Sequence, residues 1–230
     1  MSIAVFCVLR GCGLNVITAL EVQKRDKKRV NVYLDDRYAF SLTLIEAAKL
    51  RKGQQLSDEQ IAELRGQDAV QRAVDHAARF LSYRPRSVRE VRDNLSKRYE
   101  PPTIDAAIEK LEYLGYLDDH AFARYWVDNR DTFKPRGRAA LRYELRGKGL
   151  ADAVIEAALD DHDERDAAYR AASDKARRLR GLTAPVFQNK MSSYLQRRGF
   201  SFDVIRDVIR QLKDELAAPD SDFFAPDDDE

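Results

Sequence analysis

Basic side chains, more than any acid, thiol or imidazole, are the groups this 230-residue chain arranges in a pattern. Arg84-Pro85-Arg86-Ser87 and Lys134-Pro135-Arg136-Gly137 each set two cations around a proline, fifty residues apart. At a helix entrance, where N–H groups are unpaired and the helix dipole is positive, such cations favour an anion. Arg138, Arg142 and Arg146 follow one another at i, i+4 beside Leu141 and Leu145, with Lys148 just beyond. From Lys175 to Arg198 seven bases (Lys175, Arg177, Arg178, Arg180, Lys190, Arg197 and Arg198) occur with no acid among them. The chemistry open to these residues is charge recognition of a phosphate backbone or an acidic protein surface.

Catalytic groups are not assembled in the same way. His76, His120 and His162 fall in separate segments without a supporting motif and read as solvent-facing or minor contacts. Asp118-Asp119 and Asp160-Asp161 stand at helix ends, where carboxylates cap exposed amides more often than they gather a metal. A Gly-x-x-x-x-Gly-Lys-Ser/Thr loop is absent. Cys7 and Cys12 are the only cysteines, with no histidine nearby to complete a zinc set. Two thiols fit a reducing, cytoplasmic setting. The chain is therefore read as non-enzymatic, with no cofactor and no metal.

Net charge is +1, but it is unevenly placed. Residues 1–213 hold all 40 Lys and Arg and 31 of the 39 acids, a charge of +9, whereas residues 214–230 hold eight acids and no base, a charge of −8. A cationic body calls for a polyanionic or acidic partner, and an anionic tail can screen that body or aid solubility. No apolar run is long enough to span a membrane. The apolar start, Met1 to Leu9, lacks the basic opening of a secretory signal and reads as a disordered leader or as sequence upstream of the true start.

The elements that must position these cations repeat every fifty residues. Pro85, Pro135 and Pro185 align, as do Val91/Leu141/Met191, Leu95/Leu145/Leu195, Ile104/Val154/Val204 and Ile108/Ala158/Val208. Units of this size are small helical modules that bury their apolar faces against one another. Each copy contains three helical stretches, and Ser87-Val88-Arg89-Glu90 has the spacing of a capping box. Gly149 and Gly199 stand where a helix ends with positive φ, with Gly115 in that part after the first repeat's third helix. Phe122, Tyr125 and Trp126 share one helical face and are assigned to packing rather than base stacking. Ahead of the repeats, period-two alternation through Val30, Val32, Leu34 and then Tyr38, Phe40, Leu42 predicts a β-hairpin, with Ile17 to Gln23 as a third strand. The expected fold is mainly α: three tandem three-helix repeats in an elongated curved array, preceded by a small three-strand module with short helices. Its divisions are a leader over 1–15, the strand-and-helix module over 16–67, repeats over 68–117, 118–163 and 164–216, and a disordered acidic tail over 217–230.

Several of these segments resemble the RecX family, bacterial regulators of the RecA recombinase. The resemblance rests on Ile17-Thr18-Ala19-Leu20-Glu21-Val22 with Arg29-Val30-Asn31-Val32-Tyr33-Leu34-Asp35; on Leu81-Ser82-Tyr83-Arg84-Pro85-Arg86-Ser87 with Glu90-Val91 and Leu95; on Leu111-Glu112-Tyr113-Leu114-Gly115-Tyr116-Leu117-Asp118-Asp119 with Phe122-Ala123; and on Gly137, Leu141, Glu144-Leu145 and Lys148-Gly149-Leu150. It covers roughly residues 16 to 213. It implies a curved, positively charged body lodged in the groove of the RecA–DNA filament, where it modulates, usually inhibits, ATP hydrolysis and strand exchange. The implied partner is that filament, with DNA itself as a second partner, and a monomer as the acting form. The rival readings are a protein that competes for DNA by binding it directly and, with little behind it, a nuclease.

Overall fold

The computed structural model describes residues 14–217 and 222–226. The leader expected over 1–15 lies, apart from Leu14 and Asn15, outside the described residues, as do Cys7 and Cys12. The chain divides into two compact units, Met1–Phe80 with Asn94–Tyr113, and Leu81–Asp93 with Leu114–Glu230.

In the first unit, strands β1 (Asn15–Val22), β2 (Arg29–Leu34) and β3 (Arg37–Thr43) form the expected antiparallel meander. Alternation buries Val30, Val32, Leu34, Phe40 and Leu42 on one face together with Ile17 and Ile61. The β2–β3 turn is Asp35-Asp36, with φ of 49° and 63°, the left-handed pair whose twist suits a two-residue hairpin. A two-residue strand, β4 (Gln55–Leu56), pairs with the free edge of β1 and makes the sheet order β3-β2-β1-β4. Two residues are too few to show period two, so β4 has no sequence signature of its own.

Helix α1 (Leu44–Ala47) starts at Thr43, whose Oγ1 accepts the Glu46 N–H. Helix α2 (Asp58–Leu81) opens on a capping box between Ser57 and Gln60. It runs without a break through residue 68, where the repeat spacing begins the first helical unit. Asp68, at that junction, ties the helix to the sheet. Its buried carboxylate accepts two hydrogen bonds from Arg29 of β2, at 2.8 and 3.0 Å, and Arg72 stands 3.1 Å away. An unpaired carboxylate at that depth would cost several kcal/mol, roughly. Sheet and helix are thereby fixed in one register.

Three helices follow in each repeat. The first comprises α2, α3 (Val88–Leu95) and α4 (Pro101–Tyr113); the second α5 (Asp119–Phe133), α6 (Arg138–Gly147) and α7 (Asp152–Leu159); the third α8 (Glu164–Ala176), α9 (Ala184–Arg197) and α10 (Phe202–Leu216). The aligned positions Val91, Leu141 and Met191, and Leu95, Leu145 and Leu195, have no solvent exposure. On the third helices of the later repeats Ile155 and Ile205 are buried while the aligned Val154 and Val204, one step before them, are only partly so, and the aligned Val208 is fully buried. Gly115, Gly149 and Gly199 have positive φ, whereas Tyr99 does not and closes α3 through 2.9 and 3.1 Å bonds from Arg98 and Tyr99 N–H to Leu95 O.

Within the second unit the same joint is built twice. The start of α3 lies against the end of α6: Ser87 Oγ donates to Lys148 O at 2.7 Å, and Asp119 of α5 accepts the Val88 N–H at 2.9 Å. The start of α6 meets the end of α9 likewise, with Gly137 N–H donating to Arg198 O at 3.0 Å and Glu164 of α8 accepting the Arg138 N–H at 3.0 Å. Asp118 is the ordinary N-cap of α5. Asp119 instead caps a helix of the preceding repeat, and its pKa is raised by burial despite that bond. At the close of the second repeat the cap is Asp163, while Asp160 ends α7. The second joint is tight enough that a Cβ on Gly137 would overlap the Gly199 carbonyl.

Residues 222–226, inside the segment expected to be a disordered tail, pack on the third repeat. Phe223 is buried, and Phe223 and Phe224 stand edge-on to Phe187 at 5.8 and 5.3 Å. Burying one such ring is worth about 1.5–3 kcal/mol, enough to hold a short segment.

Candidate functional site

Every cation singled out by the sequence lies in the second unit, but the fold sorts them into two groups. Glu90 collects the first. It accepts from Arg84 at 2.8 Å and from Lys148 at 2.9 Å, with Arg86 at 3.9 Å. Burial works against the charge of Glu90, yet the hydrogen bonds from Arg84, Lys148 and the Ser87 N–H hold its pKa at about 2. Burial and the neighbouring Arg84 lower the pKa of Arg86. The first basic pair, Arg84 and Arg86, thus turns toward Glu90.

Glu144 plays the same part in the second repeat. Its Oε2 accepts from Arg130 at 2.7 Å and from the Trp126 indole at 2.8 Å, and Arg136 lies 3.8 Å from Oε1. Arg130 and Lys148 lie over the Trp126 ring at 4.6 and 4.9 Å. Phe122 is buried below and packs against Trp126, whereas Tyr125, expected on the same packed face, is exposed. Arg142 forms a bidentate pair with Glu156 at 2.7 and 2.8 Å, and Arg146 pairs with Asp152 at 2.8 Å. Arg138 reaches the His162 carbonyl at 3.2 Å. His162 itself is buried, with Nδ1 2.9 Å from Asp131, not the solvent-facing residue its isolation in the sequence suggests. Among these positions Lys134 alone is exposed with no partner among the described residues.

In the third repeat the balance is reversed. Arg177, Arg178, Arg180, Lys190 and Arg197 are exposed, and no described side chain pairs with any of them. Arg198 is held by Pro135 O at 3.0 Å and by the Tyr194 ring at 4.7 Å, and Lys175 lies 5.6 Å from that ring. Between α8 and α9 an open hollow of about 400 Å³ is lined by Lys175, Leu179, Asn189, Lys190, Ser193 and Arg197. Asn189, Lys190, Ser193 and Arg197 fall at i, i+1, i+4 and i+8, one face of α9. Three cations, an amide and a hydroxyl, with no carboxylate, suit a phosphate or carboxylate ligand. Asn189 and Ser193 have no charge and no motif to reveal them in the sequence. In the first unit a larger groove of about 1140 Å³ is lined by both signs, Lys28, Lys49 and Lys110 among Asp26, Glu46 and Asp75, and favours no ion.

Among the described residues no group of three or more His, Cys, Asp or Glu side chains is gathered as a metal site requires. No described helix is long and apolar enough to cross a membrane.

Tandem three-helix units that follow a small antiparallel sheet in the sequence place the chain in the helical-repeat class. The family models agree segment by segment: the regulatory protein RecX N-terminal domain matches residues 15–57, and the first, second and third RecX three-helix domains match 73–111, 118–159 and 163–209. The regulatory protein RecX of Bacillus subtilis strain 168 is 36% identical over 203 residues, covering 86% of this chain and 77% of its own. That of Bacillus pumilus is 33% identical over 204 residues, covering 86% and 78%. A crystal structure of regulatory protein RecX superposes with a TM-score of 0.71 at 28% identity, covering 85% of this chain and 98% of the other. The structure of RecX from Lactobacillus salivarius gives 0.58 at 27% identity, covering 64% and 97%. The chain belongs to the RecX family of regulatory proteins.

Proposed function

We propose that this protein binds the RecA recombinase filament on DNA and restrains its ATP hydrolysis and strand exchange, acting as a cytoplasmic monomer without chemistry of its own. The observation that carries the reading is the third repeat's face, where five exposed cations have no described partner and a donor-lined hollow lies between α8 and α9. Arg177, Arg178, Arg180, Lys190 and Arg197 are assigned to direct contact, with Lys134 as an outlying one. Arg84, Arg86, Arg136, Arg138, Arg142, Arg146, Lys148, Lys175 and Arg198 chiefly hold the helices that present them. Many charge-assisted contacts to a polymer add up to useful affinity and make it salt-sensitive. The test is a titration of recombinase ATPase on single-stranded DNA. Inhibition at protein well below the recombinase concentration that coats the strand fits filament binding, and no effect at any ratio rejects it.

A second reading has one feature in its favour. Tyr83 and Phe133, aligned just ahead of the two basic-Pro-basic patterns, are 84% and 73% exposed, as rings that stack on bases would be. Under that reading the protein competes for DNA. Binding to DNA alone as tight as to assembled filament at one salt concentration would favour it.

A further inference from the structure

The second helices of the three repeats align at two positions one turn apart, Glu90/Ala140/Lys190 and Asn94/Glu144/Tyr194. Each of the first two repeats carries one carboxylate in this pair, and each carboxylate gathers donors. Glu90 accepts from Arg84 and Lys148, and Glu144 accepts from Arg130 and the Trp126 indole. The third repeat has Lys190 and Tyr194 at these positions and no carboxylate. Its cations remain. Lys175 and Arg198 lie over the Tyr194 ring at 5.6 and 4.7 Å, much as Arg130 and Lys148 lie over Trp126. Lys190 and Arg197 stand exposed on the wall of the hollow between α8 and α9. The earlier repeats neutralise this face from within, and the third leaves the neutralising group to come from outside.

We propose that this hollow seats a glutamate side chain from an acidic segment of a protein partner, its carboxylate taking the part that Glu90 and Glu144 play in the other two repeats. This rests on the reading of the third repeat's face as the partner contact, and it assigns the hollow to the protein component of that partner. Lys175, Lys190 and Arg197 supply charge, and the Asn189 amide and Ser193 hydroxyl supply neutral donors, a set matched to an ionised two-oxygen acceptor. Leu179, the one apolar residue of the lining, is buried and offers a surface to the aliphatic stem of a glutamate. No aromatic ring lines the hollow, whereas single-stranded nucleic acid is held by stacking its bases on such rings. Asp174, next to Lys175 in the chain, is exposed and stands outside the lining.

Lys190→Glu restores the first repeat's carboxylate at an exposed position, so the fold is kept. Arg210→Glu makes the same change of charge on α10, at a side chain 70% exposed and outside the hollow. Binding is read from the anisotropy of a fluorescein-labelled hexaglutamate peptide at low salt. Lys190→Glu should weaken it about tenfold and Arg210→Glu by less than about twofold. Asn189→Ala with Ser193→Ala, which leaves net charge unchanged, should weaken it about three- to fivefold. Equal losses from the two charge reversals, or no loss from the neutral pair, show that net charge alone draws the peptide and overturn the proposal. A thymidine oligonucleotide of equal charge that binds more tightly than hexaglutamate, and loses as much to Lys190→Glu, overturns it by placing nucleic acid in the hollow. A chain that shows the expected hexaglutamate losses yet leaves recombinase ATPase untouched at every ratio sinks the proposed function alone. A chain that inhibits the ATPase and shows none of those losses sinks this proposal alone.

Discussion

The second and third repeats share a plan and differ in what surrounds their arginines. In the second, Glu144, Glu156 and Asp152 neutralise Arg130, Arg142 and Arg146 at 2.7 to 2.8 Å. In the third, Arg177, Arg178, Arg180, Lys190 and Arg197 meet no described acid. Three of the third repeat's own acids pair locally, Asp166 with Arg170 and Asp203 and Asp207 with Arg206 and Arg210. Basic residues in one helical pattern can therefore be mortar or handle, depending on a partner that lies 6 to 14 residues away in the Glu90, Glu144 and Glu156 pairs.

The contrast breaks most severely if the joint that aligns the two repeats is opened. Gly137→Ala drives a methyl into the Gly199 carbonyl, and because backbone stands on both sides the cost is expected to exceed about 3 kcal/mol. A urea melt should show it. Gly66→Ala, at a helical glycine whose Cβ would meet nothing within 4 Å, should by contrast stabilise α2 by up to about 1 kcal/mol.

Next in size is Glu90→Gln. A carboxylate held at about 2 in the folded chain, against 4.5 ordinarily, contributes stability that is complete above pH 4.5 and lost as pH falls toward 2. The variant should be destabilised by about 2 kcal/mol at pH 7, with the gap narrowing by pH 3 in parallel urea melts. An equal gap at both pH values would show that shape, not charge, is what Glu90 supplies.

The smallest effect is expected from Arg142→Ala with Arg146→Ala. Both pairs are at least a third exposed on one side, and solvent and salt screen such pairs so that they add little to stability. Thermal midpoints should move by only a few degrees and less in high salt.

Much of this was legible in the chain. Leu95, Leu145 and Leu195 returned every fifty residues and proved solvent-free in all three repeats, because burial imposes its spacing directly on residue type. The Ser87–Glu90 capping box was equally plain, since both bonds are local, 3.2 and 3.3 Å. Charge was harder to read. Whether Arg142 or Arg178 is free depends on Glu156 and on the turn after α8, and a side chain's partner across two helices leaves no mark on its own neighbourhood. Asp119 looked like a plain cap of its own helix because nothing in Asp118-Asp119 says that the second carboxylate serves Val88. Phe223-Phe224 sat in an acidic, low-complexity setting, where composition argued for disorder and two rings argued for a core.

The division between mortar and handle is tested most directly by titrating recombinase ATPase, at one salt concentration, with the Arg177→Ala, Arg178→Ala, Arg180→Ala protein and the Arg142→Ala, Arg146→Ala protein side by side. The triple variant should need about tenfold more protein for half-inhibition, a loss of about 1.4 kcal/mol, while the double variant stays within about twofold of the unaltered chain. Equal losses from the two, or a larger one from the double variant, would contradict the account.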